Sequence, residues 1–345
     1  MPTLDLTGRS HLFVWTPGFV RSRFAARLGS VFAVQACWEA GLRSRLQPDE
    51  GLSMIATLGG CLAHVARRMS KATLALCLAA SSTLALADDS RGTMLSLGDS
   101  VVFGFITQDG PAYVNADNFI GYPEIVGGAL RLDAANPSCP GETTAGFLSL
   151  TGADNGCRPF RARFPLHESY SSTQLDFALA YLGANKRKTR LVTLSLGAND
   201  GFLLVAACNN DPTCIQNSLP AVLGAVFANL NTILSNLRAT GFHGVLMVVN
   251  YYSLDYSDGA GTALTMALNQ ALAAAAAANG VVVADAFTAF QQAAAVAGGK
   301  TCFAGLLNAN PANQLACDVH PSITGQRLLA KTVQAAYRAA RRNDD

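Results

Sequence analysis

Four short apolar runs punctuate the chain: Thr93–Leu97, Leu191–Leu196, Gly244–Asn250 and Val281–Ala284. None alternates strictly, and each ends at Gly, Asn or Asp, the pattern of strands covered on both faces. Between them the period changes. Ser218–Thr240 places Val222, Val226, Leu230, Ile233, Leu234 and Leu237 close to a 3.6-residue repeat and stops at Gly241. Ala263–Ala278 reads as an alanine-rich helix closed by Asn279-Gly280, and Gln326–Arg341 as a helical C-terminal segment. Strand and helix in alternation predict a parallel sheet with helices on both faces. No internal repeat or Pro/Ser-rich linker divides residues 88–345, so they read as one α/β domain.

Two of these strands end alike, in S-L-G-D-S at 96–100 and S-L-G-A-N-D at 195–200. Ligands of open parallel sheets collect at the carboxyl ends of the strands. Ser100 and Asn199 are therefore expected on the same edge of the sheet, beside one crevice. A plainer role for the first turn is helix capping by Asp99 or Ser100.

The first 87 residues differ from the rest. They carry nine Lys/Arg against four Asp/Glu, while residues 88–345 carry sixteen against nineteen. A mildly acidic body gives no basic surface for nucleic acid, which is not expected as a partner. Arg67, Arg68 and Lys71, the apolar run Ala72–Leu84 and Ala85-Leu86-Ala87 have the three parts of an export signal. A membrane span is the alternative, but the run falls short of the roughly 20 residues a bilayer needs. Residues 69–87 are read as the signal peptide, with Met69 as the true start. Residues 1–68 are read as mis-assigned translation or a leader, and no stable membrane span is expected once the signal is cleaved.

Beyond the signal there are six cysteines, an even count that fits disulfides in an oxidising compartment. No C-x-x-C pair supports zinc, the alternative. Nearest-neighbour pairing needs the shortest loops: Cys139–Cys157, Cys208–Cys214 and Cys302–Cys317. The protein is thus expected to be secreted, to the periplasm or outside the cell.

Of the three histidines after residue 88, His167 and His243 read as loop or surface residues. His320 lies in C-D-V-H-P-S-I-T-G, ahead of the C-terminal helix. With G-D-S at 98–100, P-G-E-T-T at 140–144, G-A-N-D at 197–200 and D-V-H-P at 318–321, the chain resembles the SGNH, or GDSL-type, hydrolases. The four blocks come in the family's order and span nearly all of the exported chain. The resemblance implies a three-layer α/β/α flavodoxin-like sandwich and a secreted serine esterase or lipase similar to disulfide-containing bacterial members. It implies Ser100 as nucleophile and His320 as general base. Oxyanion donors would be Ser100 N–H, Gly141 N–H and the Asn199 side chain. It implies no cofactor and no metal, and a small-molecule or lipid ester as partner.

One departure concerns the acid. The family places it three residues before the histidine, where this chain has Cys317; Asp318 stands only two before. Either Asp318 orients His320, or a backbone carbonyl near Cys317 does and a Ser-His dyad results. Lysophospholipase or carbohydrate O-deacetylase activity is compatible with the same blocks, and so is a non-catalytic secreted binding protein. Phe105–Asn136 and Asn250–Thr262, with Tyr251, Tyr252 and Tyr256, are the candidate specificity segments. No G-x-x-x-x-G-K-[ST] or G-x-G-x-x-G motif supports nucleotide binding.

Overall fold

The computed structural model describes residues 91–344 apart from 108–109 and 311–312; the expected upstream segment and signal peptide lie outside the described residues. The central sheet has five parallel strands in the order β2-β1-β3-β4-β5: β1 Thr93–Gly98, β2 Asp133–Ala135, β3 Thr189–Ser195, β4 Val245–Val249 and β5 Val282–Ala284. All five residues of β4 are buried, and all of β3 but Arg190, which is why these strands lack alternation. The flavodoxin-like order puts the topological switch between β1 and β3, where Gly98 pairs with Ser195. Both S-L-G strand ends therefore open onto the same crevice.

The helices form two layers. On one face α2 (Tyr122–Leu130) and α9 (Ala286–Ala294) pack against α10 (Ile323–Asp344). On the other lie α5 (Gln174–Asn185), α7 (Pro212–Ala239) and α8 (Gly259–Ala278). One-turn helices α1 (Ser100–Phe103), α3 (Thr144–Leu148) and α4 (Cys157–Arg161), together with α6 (Ala198–Ala207), sit at or near the sheet's carboxyl edge. A separate antiparallel hairpin, β6 (Leu307–Asn310) and β7 (Asn313–Pro321), precedes α10.

The expected elements are present with shifted ends. Helix α7 begins six residues before Ser218, because Asp211 caps it through the Cys214 N–H (2.8 Å) and Pro212 fits its first turn. Its C-terminal half buries Val226, Leu230, Ile233, Leu234 and Leu237 against the sheet. Among the described residues α7 is the one helix long and apolar enough to cross a membrane by length and composition, and its buried stripe lies in its C-terminal half. Strand β2 was not expected: three residues, one exposed, one half-buried and one buried, carry no periodic signal. The connection Phe105–Asn136 holds this strand and α2.

All three expected disulfides are formed, with Cα–Cα separations of 5.4 Å for Cys139–Cys157 and 5.6 Å for the other two. Cys302–Cys317 closes a 15-residue separation and ties β7 to the turn before β6. A loop of that length restricts the unfolded chain by about 3 kcal/mol. The double variant Cys302→Ser/Cys317→Ser is accordingly expected to unfold at lower denaturant, with an m-value equal to or somewhat above that of the wild type because its unfolded chain is less restricted. Unchanged urea midpoints would show that the link adds nothing to stability.

Candidate active site

Strand β1 ends at Gly98 for a steric reason. Its φ is +143°, and a Cβ there would lie 2.0 Å from the Ser195 carbonyl oxygen of β3. Only glycine permits that approach. Asp99 then caps α1, accepting from the Val101 N–H at 2.9 Å. Its other oxygen accepts from the Tyr251 hydroxyl at 2.6 Å. Burial pushes this carboxyl up to about 6, against the pull of those two hydrogen bonds. Asp99 thus performs the capping, and Ser100 is left to other partners.

Ser100 Oγ lies 3.0 Å from His320 Nε2. On the far side of the ring, Nδ1 lies 2.7 Å from Asp318 Oδ1. The unusual two-residue spacing works because both residues belong to β7 (Asn313–Pro321). Side chains at i and i+2 of a strand share a face. Cys317, one residue before Asp318 and of opposite parity, serves the disulfide to Cys302. Burial raises the Asp318 carboxyl, but the hydrogen bond to His320, its charge and the Thr107 hydroxyl outweigh it and hold the group at about 2. Phe105 meets the His320 ring edge-on at 4.9 Å, and Tyr252 donates to the Val319 carbonyl at 2.7 Å. The histidine is braced on several sides.

Asn199 lies in the first turn of α6, 5 % exposed. Its Nδ2 donates to the Glu142 carbonyl (2.9 Å), while its Oδ1 accepts from Asn155 Nδ2 (2.7 Å). These two contacts fix which way the amide faces, and the nitrogen carries a second N–H. Gly141 precedes Glu142 with φ +86°, and a Cβ there would lie 2.5 Å from the Asn155 carbonyl oxygen. Asp200 accepts from both the N–H (3.0 Å) and the hydroxyl (2.6 Å) of Thr144, joining the G-A-N-D turn to P-G-E-T-T.

Ser100, Asn199 and His320 border one cavity of about 320 Å³; Gly141 lies outside its lining. The cavity runs between α6, the N-terminal half of α7 and α8, over Val205, Ile215, Leu219, Val222 and Leu268. No charged residue occurs in 212–237 or in 259–284, the bulk of α7 and α8. Of the candidate specificity residues, Tyr251 and Tyr252 line the cavity. Tyr256 does not: it packs on Phe287 (5.1 Å) and donates to that residue's carbonyl at 2.7 Å. Nor does Phe105–Asn136, whose Phe105, Tyr113 and Phe119 stack together beside His320.

Several supporting residues escaped the sequence reading. Gln174 and Gln326 are buried amides that bind backbone groups around the Ser100 turn: Gln174 at Gly98, and Gln326 at Val101 O (3.0 Å) in α1 and at Tyr122 N (2.9 Å), the start of α2. A glutamine in a helix's first turn carries no local sign of such long-range bonds. Asp200 and Thr144 were both visible, inside G-A-N-D and P-G-E-T-T, but their pairing was not.

A model of the GDSL-like lipase/acylhydrolase family matches residues 96–328. No curated protein matches the chain by sequence. Among solved structures it is similar to phospholipase A1 from Streptomyces albidoflavus, with 18% identity and a TM-score of 0.49, over 71% of this chain and 99% of that one. An acetylxylan esterase from Geobacillus stearothermophilus, in a catalytic mutant form, gives 16% identity and a TM-score of 0.44, over 71% and 94%.

Proposed function

The chain belongs to the GDSL-like lipase/acylhydrolase family, and from that premise we propose that it cleaves carboxylic esters of aliphatic acids through an acyl-enzyme on Ser100. The observation that carries this reading is the line Asp318–His320–Ser100, bonded at 2.7 and 3.0 Å, at the edge of an apolar cavity. His320 takes the Ser100 proton as the hydroxyl attacks the acyl carbonyl, then passes it to the leaving alcohol. A water deprotonated by His320 afterwards releases the acid. Asp318 keeps the imidazole in the tautomer whose Nε2 accepts from Ser100. The second N–H of Asn199, with the backbone N–H groups of Ser100 and Gly141, would stabilise the oxyanion, each worth roughly 10²–10³ in rate.

The cavity favours an acyl chain over a sugar. Its volume of about 320 Å³ equals the share of about ten water molecules, and a methylene is of similar size. A carbohydrate would need polar partners that the α7 and α8 walls do not offer, so the lipase or lysophospholipase reading is preferred to O-deacetylation. The three disulfides fit an oxidising compartment. With residues 69–87 as signal peptide and 88–345 as the hydrolase domain, we place the mature protein outside the cytoplasm.

Nitrophenyl esters from acetyl to palmitoyl test the substrate. An optimum near ten carbons is expected, and Leu219→Trp, which fills the cavity wall, should move it to shorter chains with KM for acetyl ester little changed. Highest kcat/KM on acetyl ester in the wild type would overturn the acyl-chain reading in favour of a deacetylase.

A further inference from the structure

Gln174 is fully buried at the start of α5 and grips the backbone of one residue twice. Its Oε1 accepts from the Gly98 N–H at 2.7 Å and its Nε2 donates to the Gly98 carbonyl at 3.0 Å. The same Nε2 lies 3.4 Å from Glu142 Oε2. Gly98 is two residues before Ser100, and Glu142 is one after Gly141. One amide thus bridges the turn that carries the hydroxyl and the loop that carries Gly141. That loop is also the one whose Glu142 carbonyl receives Asn199 Nδ2.

Glu142 itself is buried, 3 % exposed, and forms no ion pair among the described residues. A carboxyl oxygen of Asp154 lies within 4.8 Å of its own. The third member of that group, Cys157, has its sulfur committed to Cys139, so the trio is not a metal site. Other groups facing Glu142 are Arg161 from α4, the Tyr170 phenol and Gln174 from α5. Arg161 is engaged elsewhere, donating to the Ser172 carbonyl at 2.9 Å and lying over the Tyr170 ring. Burial pushes the Glu142 carboxyl up to about 8, and the Asp154 charge adds to this against Arg161 and Gln174.

We propose that Gln174 and Glu142 are positioning residues that hold the Ser100 turn and the Gly141 loop in register, and that ionisation of Glu142 loosens that register. The inference rests on the oxyanion roles given to Ser100, Gly141 and Asn199 above. A carboxylate formed here gains a like-charged neighbour in Asp154, and against it stand only the Gln174 amide, the Thr143 N–H and an Arg161 engaged elsewhere. Relief comes by moving the loop, and the loop carries the Gly141 N–H and the carbonyl that aligns Asn199. Loss of activity at alkaline pH then follows from a group that touches no substrate.

The test is the rate at which a fluorophosphonate labels Ser100 between pH 6 and 10, a readout that needs no knowledge of the substrate. In the wild type the rate should fall severalfold per unit above about pH 8. Glu142→Gln should abolish the fall, bringing the ratio of rates at pH 9 and pH 7 close to 1. Asp154→Asn, which can still accept at the start of α4, should move the fall to lower pH, because removing the like charge makes Glu142 easier to ionise. Gln174→Ala should slow labelling at every pH by tenfold or more. The same alkaline fall in both acid variants, or none in the wild type, overturns the proposal. No labelling of Ser100 at any pH removes the serine reading and this inference with it.

Discussion

Replacing Ser100 with alanine is expected to lower kcat on any ester by about 10⁴-fold or more, while the folded structure persists. The magnitude follows from what is removed. The hydroxyl is the proposed nucleophile, and without it His320 has nothing to activate but water, which is not held in the attacking position. Some catalysis above the uncatalysed rate should survive, because the oxyanion donors do not depend on the Ser100 side chain. The fold should tolerate the change: Asp99, not Ser100, caps α1, and the Ser100 hydroxyl is bonded to His320 rather than to the backbone. Nitrophenyl ester turnover with a thermal melt alongside measures both. Turnover within tenfold of wild type would sink the serine mechanism, and wild-type protein inert to esters and to fluorophosphonate would favour the binding-protein reading.

Asp318→Asn has the second largest expected effect, a loss in kcat on the order of 10³–10⁴ with KM changed little. The asparagine keeps the size and shape of the side chain, so the β7 segment should stay in place, supported by Tyr252 on the Val319 carbonyl and by the link to Cys302. What changes is the hydrogen-bond code. A carboxylate accepts only, so it selects the imidazole with a proton on Nδ1; an amide nitrogen would donate there and select the opposite tautomer. A loss below tenfold would mean that a backbone carbonyl suffices and the protein works as a Ser-His dyad. The carboxyl also carries a stability signature. Its value falls from 3.8 to about 2 on folding, so its contribution is present above pH 3.8 and lost as the pH drops through 2. Asp318→Asn should flatten that acid segment of the stability curve.

Much of this protein was legible in its sequence because the signals are local. Buried parallel strands leave continuous apolar runs, so β1, β3, β4 and β5 announced themselves, and the S-L-G endings placed Ser100 and Asn199 on one edge. The disulfides followed from the shortest loops, since nearby cysteines pair with least chain closure. Strand β2 did not show, being too short and too exposed to carry a period.

What only the tertiary structure decided was how distant residues meet. Asp318 could be weighed against a backbone carbonyl only once β7 was seen to be a strand, where a two-residue spacing puts both side chains on one face. Likewise Gln174 and Asp200 tie segments 76 and 56 residues apart in the chain. The cavity wall, too, is shared among α6, α7 and α8, and Tyr256, adjacent in sequence to its lining, turns away to Phe287. Periodicity records which face of an element is buried. It does not record what that face is buried against, and catalytic positioning depends on the latter.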